Sequence, residues 1–163
     1  MKIFPRLEKN RFFWKIKLFL KRLIGRELWL KKEIVLRTEI RGDWEYCPDY
    51  IEESSIVYSL GVGDSIEFDN EIIKAHGCQV YAFDPTPFSV NWISDQKTSS
   101  KLFFHPWAIS DFDGEMRMIQ RENKKGKKSD VMWTEISPNS NYDNSIEVTV
   151  FSIPSIMKKL NHT

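Results

Sequence analysis

The spacing of apolar residues changes period along the chain, and each change predicts an element. In the run Phe12–Ile24 (FFWKIKLFLKRLI), Phe12, Phe13, Ile16, Phe19, Leu20, Leu23 and Ile24 share one arc of roughly 140° on a helical wheel. Lys15, Lys17, Lys21 and Arg22 fall outside that arc, Trp14 and Leu18 sit on the basic side, and Gly25 marks a helix stop. From Glu33 to Tyr46 the pattern partly alternates around Gly42-Asp43, which predicts a short strand or hairpin. Pro48 and the acidic stretch Asp49–Glu53 read as a linking turn or short helix.

Further on, Ile56-Val57-Tyr58-Ser59-Leu60 is a short β-branched-rich run ending at Gly61-Val62-Gly63-Asp64, the pattern of a buried parallel strand. Ser65–His76 carries Ile66, Phe68, Ile72 and Ile73 at helical spacing, with Asp64 or Ser65 as cap and Gly77 as stop. A second strand, Gln79–Phe83, ends at Asp84-Pro85. Strand, glycine turn, helix and strand make one βαβ unit, for which a right-handed crossover is expected.

Thr86–Asp95 predicts the second crossover helix, with Thr86 as cap, Pro87 at the first helical position and Val90, Trp92 and Ile93 as its apolar face. Glu115–Ile119 and Ile146–Val150 alternate and are expected to pair as antiparallel strands. No element is predicted in the stretch between them, Gln120–Ser145. That stretch contains Lys124-Lys125-Gly126-Lys127-Lys128, which is either a solvated mobile loop or a contact for an anionic substrate, and Pro138–Asn141. Ser152–Leu160 predicts a final helix capped by Ser152, or by Ser155 in a shorter version.

Composition sharpens the picture. With 163 residues, 41% hydrophobic and 13% aromatic, the chain has material for a packed core, which excludes wholesale disorder. The formal net charge of +1 hides a split. Residues 1–37 hold twelve basic side chains and three acidic ones, a local net of +9, and the remainder carries −8. The expected organisation is therefore a basic amphipathic arm (residues 1–41) joined to an acidic body (residues 42–163).

Four cations interrupt the arm's apolar run, so it cannot span a bilayer, and no secretory cleavage pattern follows it; a cytoplasmic location is expected. Two readings of the arm remain. It lies on an anionic membrane surface, with Phe12–Ile24 at the interface, or it packs its apolar face on the body. Nucleic acid is not an expected partner, because the acidic body would repel phosphate. Cys47 and Cys78 fit neither a disulfide framework nor a zinc pattern and read as reduced, buried thiols. His76, His105 and His162 show no metal-ligand spacing; His76 is expected at the surface, and His105 at the edge of the crevice described next.

The βαβ unit carries the chemistry. Gly61 and Gly63 allow a sharp turn and close backbone approach to a ligand, and the following helix offers unpaired N–H groups. Asp84 lies 21 residues after Gly63 at the tip of the second strand, where a carboxylate can accept from both hydroxyls of a ribose. The turn departs from Gly-x-Gly-x-x-Gly, since Ile66 takes the place of the third glycine and Asp64 would face a pyrophosphate. These departures argue against NAD or FAD. They favour a ribose-bearing ligand without phosphate, and S-adenosylmethionine, with its ammonium and sulfonium groups, suits an acidic crevice.

The stretch Ser55–Pro87, SIVYSLGVGDSIEFDNEIIKAHGCQVYAFDPTP, resembles the first two motifs of the FkbM-type S-adenosylmethionine-dependent methyltransferases. The likeness continues through Phe103–Ile109 (FFHPWAI), similar to that family's third strand and adenine-bordering loop, and through Asp111, Asp113 and Gly114 in the next turn. It covers Gly42–Leu160. The resemblance implies an α/β fold of the Rossmann-like class I methyltransferase type. It also implies that Gly61 and Gly63 line the methionine part of the cofactor, that Asp84 holds the ribose, and that Ser59, Asp64, Pro85 and Ala108 complete the cofactor contacts. In the family, a further strand ending in an acidic motif lies beside the transferred methyl group; here the sequence stops at Thr163. The expectation is thus an incomplete fold, the first three parallel strands plus a hairpin, from a fragment or a truncated product in preference to a sheet completed by another chain, with catalytic residues unnamed. The expected activity is methyl transfer to an oxygen of a small-molecule, glycan or lipid acceptor. The alternative is a catalytically inactive, membrane-associated Rossmann-like binding module, and a nucleotide-dependent oxidoreductase is disfavoured by the glycine pattern.

Overall fold

The computed structural model describes residues 11–30, 34–123, 126–137 and 144–162. It is mixed α/β and divides into two compact units, Met1–Leu36 and Arg37–Thr163.

In the first unit, helix α1 spans Arg11–Leu23. Gly25 ends it with φ 69°, a left-handed conformation open to glycine at little cost. The Gly25 N–H bonds the Arg22 carbonyl (3.1 Å) and the Arg26 N–H bonds the Lys21 carbonyl (2.9 Å), so two carbonyls of the last turn are satisfied. The chain then folds back. Lys21 pairs with Glu27 at 2.9 Å, Arg22 Nε donates to the Leu28 carbonyl at 3.0 Å, and Trp29 meets Phe19 edge-on with ring centroids 5.9 Å apart. No helix among the described residues is long and apolar enough to cross a membrane.

The second unit opens with a hairpin, β1 (Glu39–Arg41) against β2 (Trp44–Tyr46), turning at Gly42-Asp43 as the alternation predicts. It lies across the 41/42 division expected from composition. Residues 49–54 form turns, not a helix. Next come β3 (Ile56–Leu60), α2 (Glu67–His76), β4 (Gln79–Phe83), α3 (Pro87–Ser94) and β5 (Leu102–His105). The three strands form a parallel sheet in the order β3-β4-β5, with Val57 opposite Val80 and Val80 opposite Leu102. Strand β3 is half-buried, not fully buried as its sequence suggests, because it is an edge strand; Ile56 and Leu60 are 40% and 57% exposed.

Alternation along these strands sorts the side chains. Val80, Ala82 and Leu102 join Ile72 and Ile73 of α2, Ile93 of α3, Val62, Ile66 and Cys78 in one core. Each such branched side chain contributes about 1.5–3 kcal/mol on burial. The other face is aromatic: Tyr81 stacks on Phe103 at 4.8 Å, Phe83 stacks near His105 at 5.4 Å, and His105 stacks on Trp107 at 4.4 Å. His162 closes on this face, bonding the Tyr58 hydroxyl at 2.6 Å and meeting the Tyr81 ring at 4.4 Å.

Helix α2 starts later than expected. Ile66 occupies the N-cap position with no side-chain cap, because residues 62–65 form a turn in which the Ser65 N–H bonds the Val62 carbonyl. Ser65 Oγ still accepts from the Glu67 N–H at 3.3 Å, and Gly77 ends the helix at φ 68°. Helix α3 follows its expected signals, with Thr86 Oγ1 accepting from the Ser89 N–H and Pro87 in the first turn. His76, expected at the surface, is half-buried and engaged by both ring nitrogens. Its Nε2 lies 2.8 Å from the Tyr46 hydroxyl and its Nδ1 3.1 Å from the Ile51 carbonyl, so it fastens the hairpin and the following turn to α2.

Beyond β5 the chain enters a four-stranded sheet: β6 (Ala108–Ile109), β7 (Gly114–Glu122), β8 (Lys128–Glu135) and β9 (Ile146–Phe151), in the order β6-β9-β7-β8. Strands β7 and β9 are antiparallel, with Met118 opposite Ile146 and Gly114 opposite Val150. Two expectations are corrected here. The segment read as third strand and loop splits between sheets, since Ala108 and Ile109 pair in parallel with Val150 and Phe151. The stretch for which no element is predicted contains β8, an edge strand whose charged residues hide its pattern. Lys127 and Lys128 therefore belong to a hairpin end; Lys124, Lys125 and Pro138–Asn141 lie outside the described residues.

Helix α4 (Ile153–Leu160) follows β9, with Ser152 in the N-cap position but making no side-chain cap. Asp113 supplies the missing acceptor: its Oδ1 takes the Ser152 N–H at 2.7 Å, and its Oδ2 takes the Ser155 hydroxyl. The Ser152 N–H, and after it the Ser155 hydroxyl, hold the Asp113 carboxyl below its ordinary range. A group depressed in the folded state stabilises above its unfolded pKa and loses that contribution as pH falls through the folded one. Asp113→Ala is accordingly expected to lower the urea midpoint at neutral pH, with a deficit that closes in strong acid. Equal midpoints at neutral pH would remove the cap from the account.

Candidate functional site

The glycine turn after β3 is tied to the end of β4 by two backbone-donated hydrogen bonds. The Gly61 N–H reaches the Phe83 carbonyl at 2.8 Å, extending the ladder by one step, and the Gly63 N–H donates to Asp84 Oδ2 at 3.0 Å. Both glycines have positive φ, 85° and 58°, which branched residues avoid. A Cβ built on either would meet nothing within 4 Å, so the demand for glycine is conformational and the space beside the turn is open.

Asp84 is 5% exposed. Besides the Gly63 bond, its Oδ1 accepts from the Thr86 N–H at 2.9 Å and from the Thr86 hydroxyl at 2.7 Å. A carboxylate offers about four acceptor positions, so three are engaged by the protein and one, on Oδ2, is left. Within the protein, Asp84 is a clasp between the turn, the strand end and the start of α3.

Two cavities flank the turn and share Leu60 and Gly61. The first, about 420 Å³, is lined by Ser59, Asp64 and the acids Asp43, Glu67 and Asp69. The second, about 330 Å³, is lined by Asp84, Pro85, Trp107, Ala108 and the methionines Met116 and Met118. The expected site residues are therefore divided, Ser59 and Asp64 in one cavity and Asp84, Pro85 and Ala108 in the other. Gly61 belongs to both, and Gly63 joins them through its bond to Asp84. A third cavity of about 550 Å³ runs from Asp64 and Phe88 to Arg121, Lys127, Lys128 and Asp130, a lining of mixed charge.

Asp69 was not singled out from the sequence, yet it is the most unusual group here. It sits on the buried face of α2 with Ile72 and Ile73, is 5% exposed, and its Oδ1 is buried without a hydrogen-bond partner. Burial pushes its carboxyl above the ordinary range, and a hydrogen bond from the Ser59 side chain partly opposes the shift. The legible signal was an acid standing in the apolar stripe Ile66, Asp69, Ile72, Ile73.

His105 lies on the aromatic face, stacked between Phe83 and Trp107, and lines neither cavity beside the turn. Its Nε2 is buried without a hydrogen-bond partner, and its pKa is lowered, first by burial and then by His162. Among the described residues, no group of His, Cys, Asp and Glu has the arrangement of a metal site. Cys78 is buried, with its thiol pushed up by burial, whereas Cys47 is only half-buried; both are free. No protein-family model matches the chain, and no curated protein or solved structure shows significant similarity to it.

Proposed function

We propose that the body is the S-adenosylmethionine-binding part of a methyltransferase, built on the first three parallel strands of a Rossmann-like sheet and acting on an oxygen acceptor. The observation that carries this reading is the Gly63–Asp84 bond, which joins a positive-φ glycine turn to the acid ending the next strand. Such a joint is suited to a ligand that runs from the turn to the strand tip. The two cavities divide that ligand chemically. The acid-lined one suits the ammonium and sulfonium end, and the orphaned Asp69 Oδ1 would gain a donor there. The remaining acceptor position of Asp84 would take a ribose hydroxyl, and Pro85, Trp107 and Ala108 would border the base.

When bound, S-adenosylmethionine supplies an electrophilic methyl group on a cationic sulfur. The chain's own contribution is positional and electrostatic. Ser59, Asp64 and Asp69 fix one end against Gly61, and Asp84 sets the distance to the other. A second reading, an inactive binding module, draws support from Asp84, whose carboxylate already accepts three hydrogen bonds from the protein.

Calorimetric titration with S-adenosylmethionine and with NADH separates these readings. Binding of the first is expected; binding of NADH alone would overturn the proposal, and binding of neither would leave the inactive module. Asp69→Asn gives an independent check, because a carboxyl with a raised folded pKa destabilises once pH exceeds its unfolded value. The variant is expected to be more stable than the wild type at neutral pH and equal to it in acid, while binding S-adenosylmethionine about tenfold more weakly. Wild-type affinity in Asp69→Asn would exclude Asp69 from the cationic end.

A further inference from the structure

The arm carries an apolar surface of its own. Along one side of α1, Ile16, Phe19, Leu20, Leu23 and Ile24 are 45–64% exposed, and their arc has no polar interruption. The fold-back after Gly25 enlarges this surface. Trp29 lies edge-on against Phe19, and Leu28 and Leu30 beside it are exposed too. Arg22 stabilises the arrangement twice, bonding the Leu28 carbonyl and lying over the Trp29 ring at 5.5 Å. The polar flank is cationic. Lys15, Lys17, Lys21 and Arg22 follow one another along it, and Lys17 Nζ lies 4.4 Å over the Trp14 ring.

We infer that this helix and its folded-back segment form a wedge that docks in the plane of an anionic lipid surface. Three observations select lipid over a protein groove or a nucleic acid. The apolar arc is broad, and a lipid interface accepts such an arc without matching shape. The basic residues border it on the polar side, where anionic headgroups would lie, and the local net charge of residues 1–37 is +9. Trp29, edge-on against Phe19 and beneath Arg22, stands between the two regions, where an indole ring favours the membrane–water boundary. A nucleic acid would use the cations and leave the apolar arc in water. The inference stands apart from the cofactor reading and does not depend on it.

The test is co-sedimentation of the full chain with vesicles of phosphatidylcholine alone and of phosphatidylcholine mixed with phosphatidylglycerol. Pelleting with the mixed vesicles at low salt is expected, and it should weaken as salt is raised. Lys15→Gln combined with Lys17→Gln leaves helix propensity nearly unchanged and should weaken binding roughly 25-fold, about fivefold per cation. Leu20→Glu combined with Leu23→Glu should abolish it. Absence of pelleting, equal pelleting on neutral vesicles, or full binding by the Leu20→Glu and Leu23→Glu variant would each overturn the inference. So would a concentration-dependent dimer in analytical ultracentrifugation that the same double substitution dissolves and that vesicles fail to displace, since the arc would then belong to a second copy.

Discussion

Asp84→Ala is expected to cost the body roughly 2–4 kcal/mol of stability and to weaken S-adenosylmethionine binding about 10- to 150-fold. The stability loss follows from what the carboxylate holds. Its removal strands the Gly63 N–H and the Thr86 N–H and leaves the Thr86 hydroxyl only the Ser89 hydroxyl at 2.9 Å, in a site where Asp84 and Thr86 are both buried. On the proposed reading, the binding loss would follow from losing the acceptor for a ribose hydroxyl and from the freed turn. In Asp84→Asn the amide oxygen can still accept from Thr86, while the negative charge is gone and the Gly63 N–H faces an NH2 group instead of its acceptor. That variant should remain folded, so its affinity can be read by calorimetry. Wild-type affinity in Asp84→Asn would reduce the residue to a clasp, and a wild-type urea midpoint in Asp84→Ala would remove the clasp as well.

Phe83→Ala should destabilise by about 3–5 kcal/mol, measured by urea denaturation. Phe83 is among the largest side chains that the fold buries completely, and it is central to the aromatic face. Its ring lies 5.4 Å from those of Tyr58 and His105 and 6.2 Å from that of Trp107. Truncation opens a void beside the Asp84 cavity, which Phe83 also lines. The same void admits water to His105, whose depressed pKa depends first on burial. A base with a lowered folded pKa stabilises the native state above its unfolded pKa and loses that contribution as pH falls through the interval down to the folded one. With water admitted, that loss shrinks, so the difference between wild type and variant should narrow as pH drops below the imidazole range. A deficit under 1 kcal/mol would mean that the cluster collapses to refill the space.

Where the sequence was legible, one local rule decided the outcome. Strands β3 and β4 have the boundaries expected for β-branched and aromatic runs between turn residues, and Gly25, Gly42 and Gly77 all adopt the positive φ that their stops and turn require. What escaped is set by partners distant in sequence. Asp113 caps a helix 39 residues away, and His76 reaches Tyr46 across 30. Strand β8 escaped for another reason: as an edge strand with mostly exposed side chains, it has no apolar face to betray its period. The candidate site shows both cases. Gly61, Gly63 and Asp84 could be named because turn geometry and strand ends leave marks in sequence. Asp69 leaves only the mark of an acid in an apolar stripe, its weight coming from burial, and Ala108 reaches its place through the pairing of β6 with β9, a contact distant in sequence.

The bond between Gly63 and Asp84 closes a loop of the chain around α2. Its consequence concerns when the crevice becomes ordered. Because both ends of that loop are fastened by contacts made during folding, the turn is set before any ligand arrives, and little conformational entropy remains to be lost on association. Preorganisation of this kind couples affinity to the packing of α2. A substitution at Ile72, which need not touch a ligand, would then be felt as weaker binding, because the loop would have to be ordered at the moment of encounter.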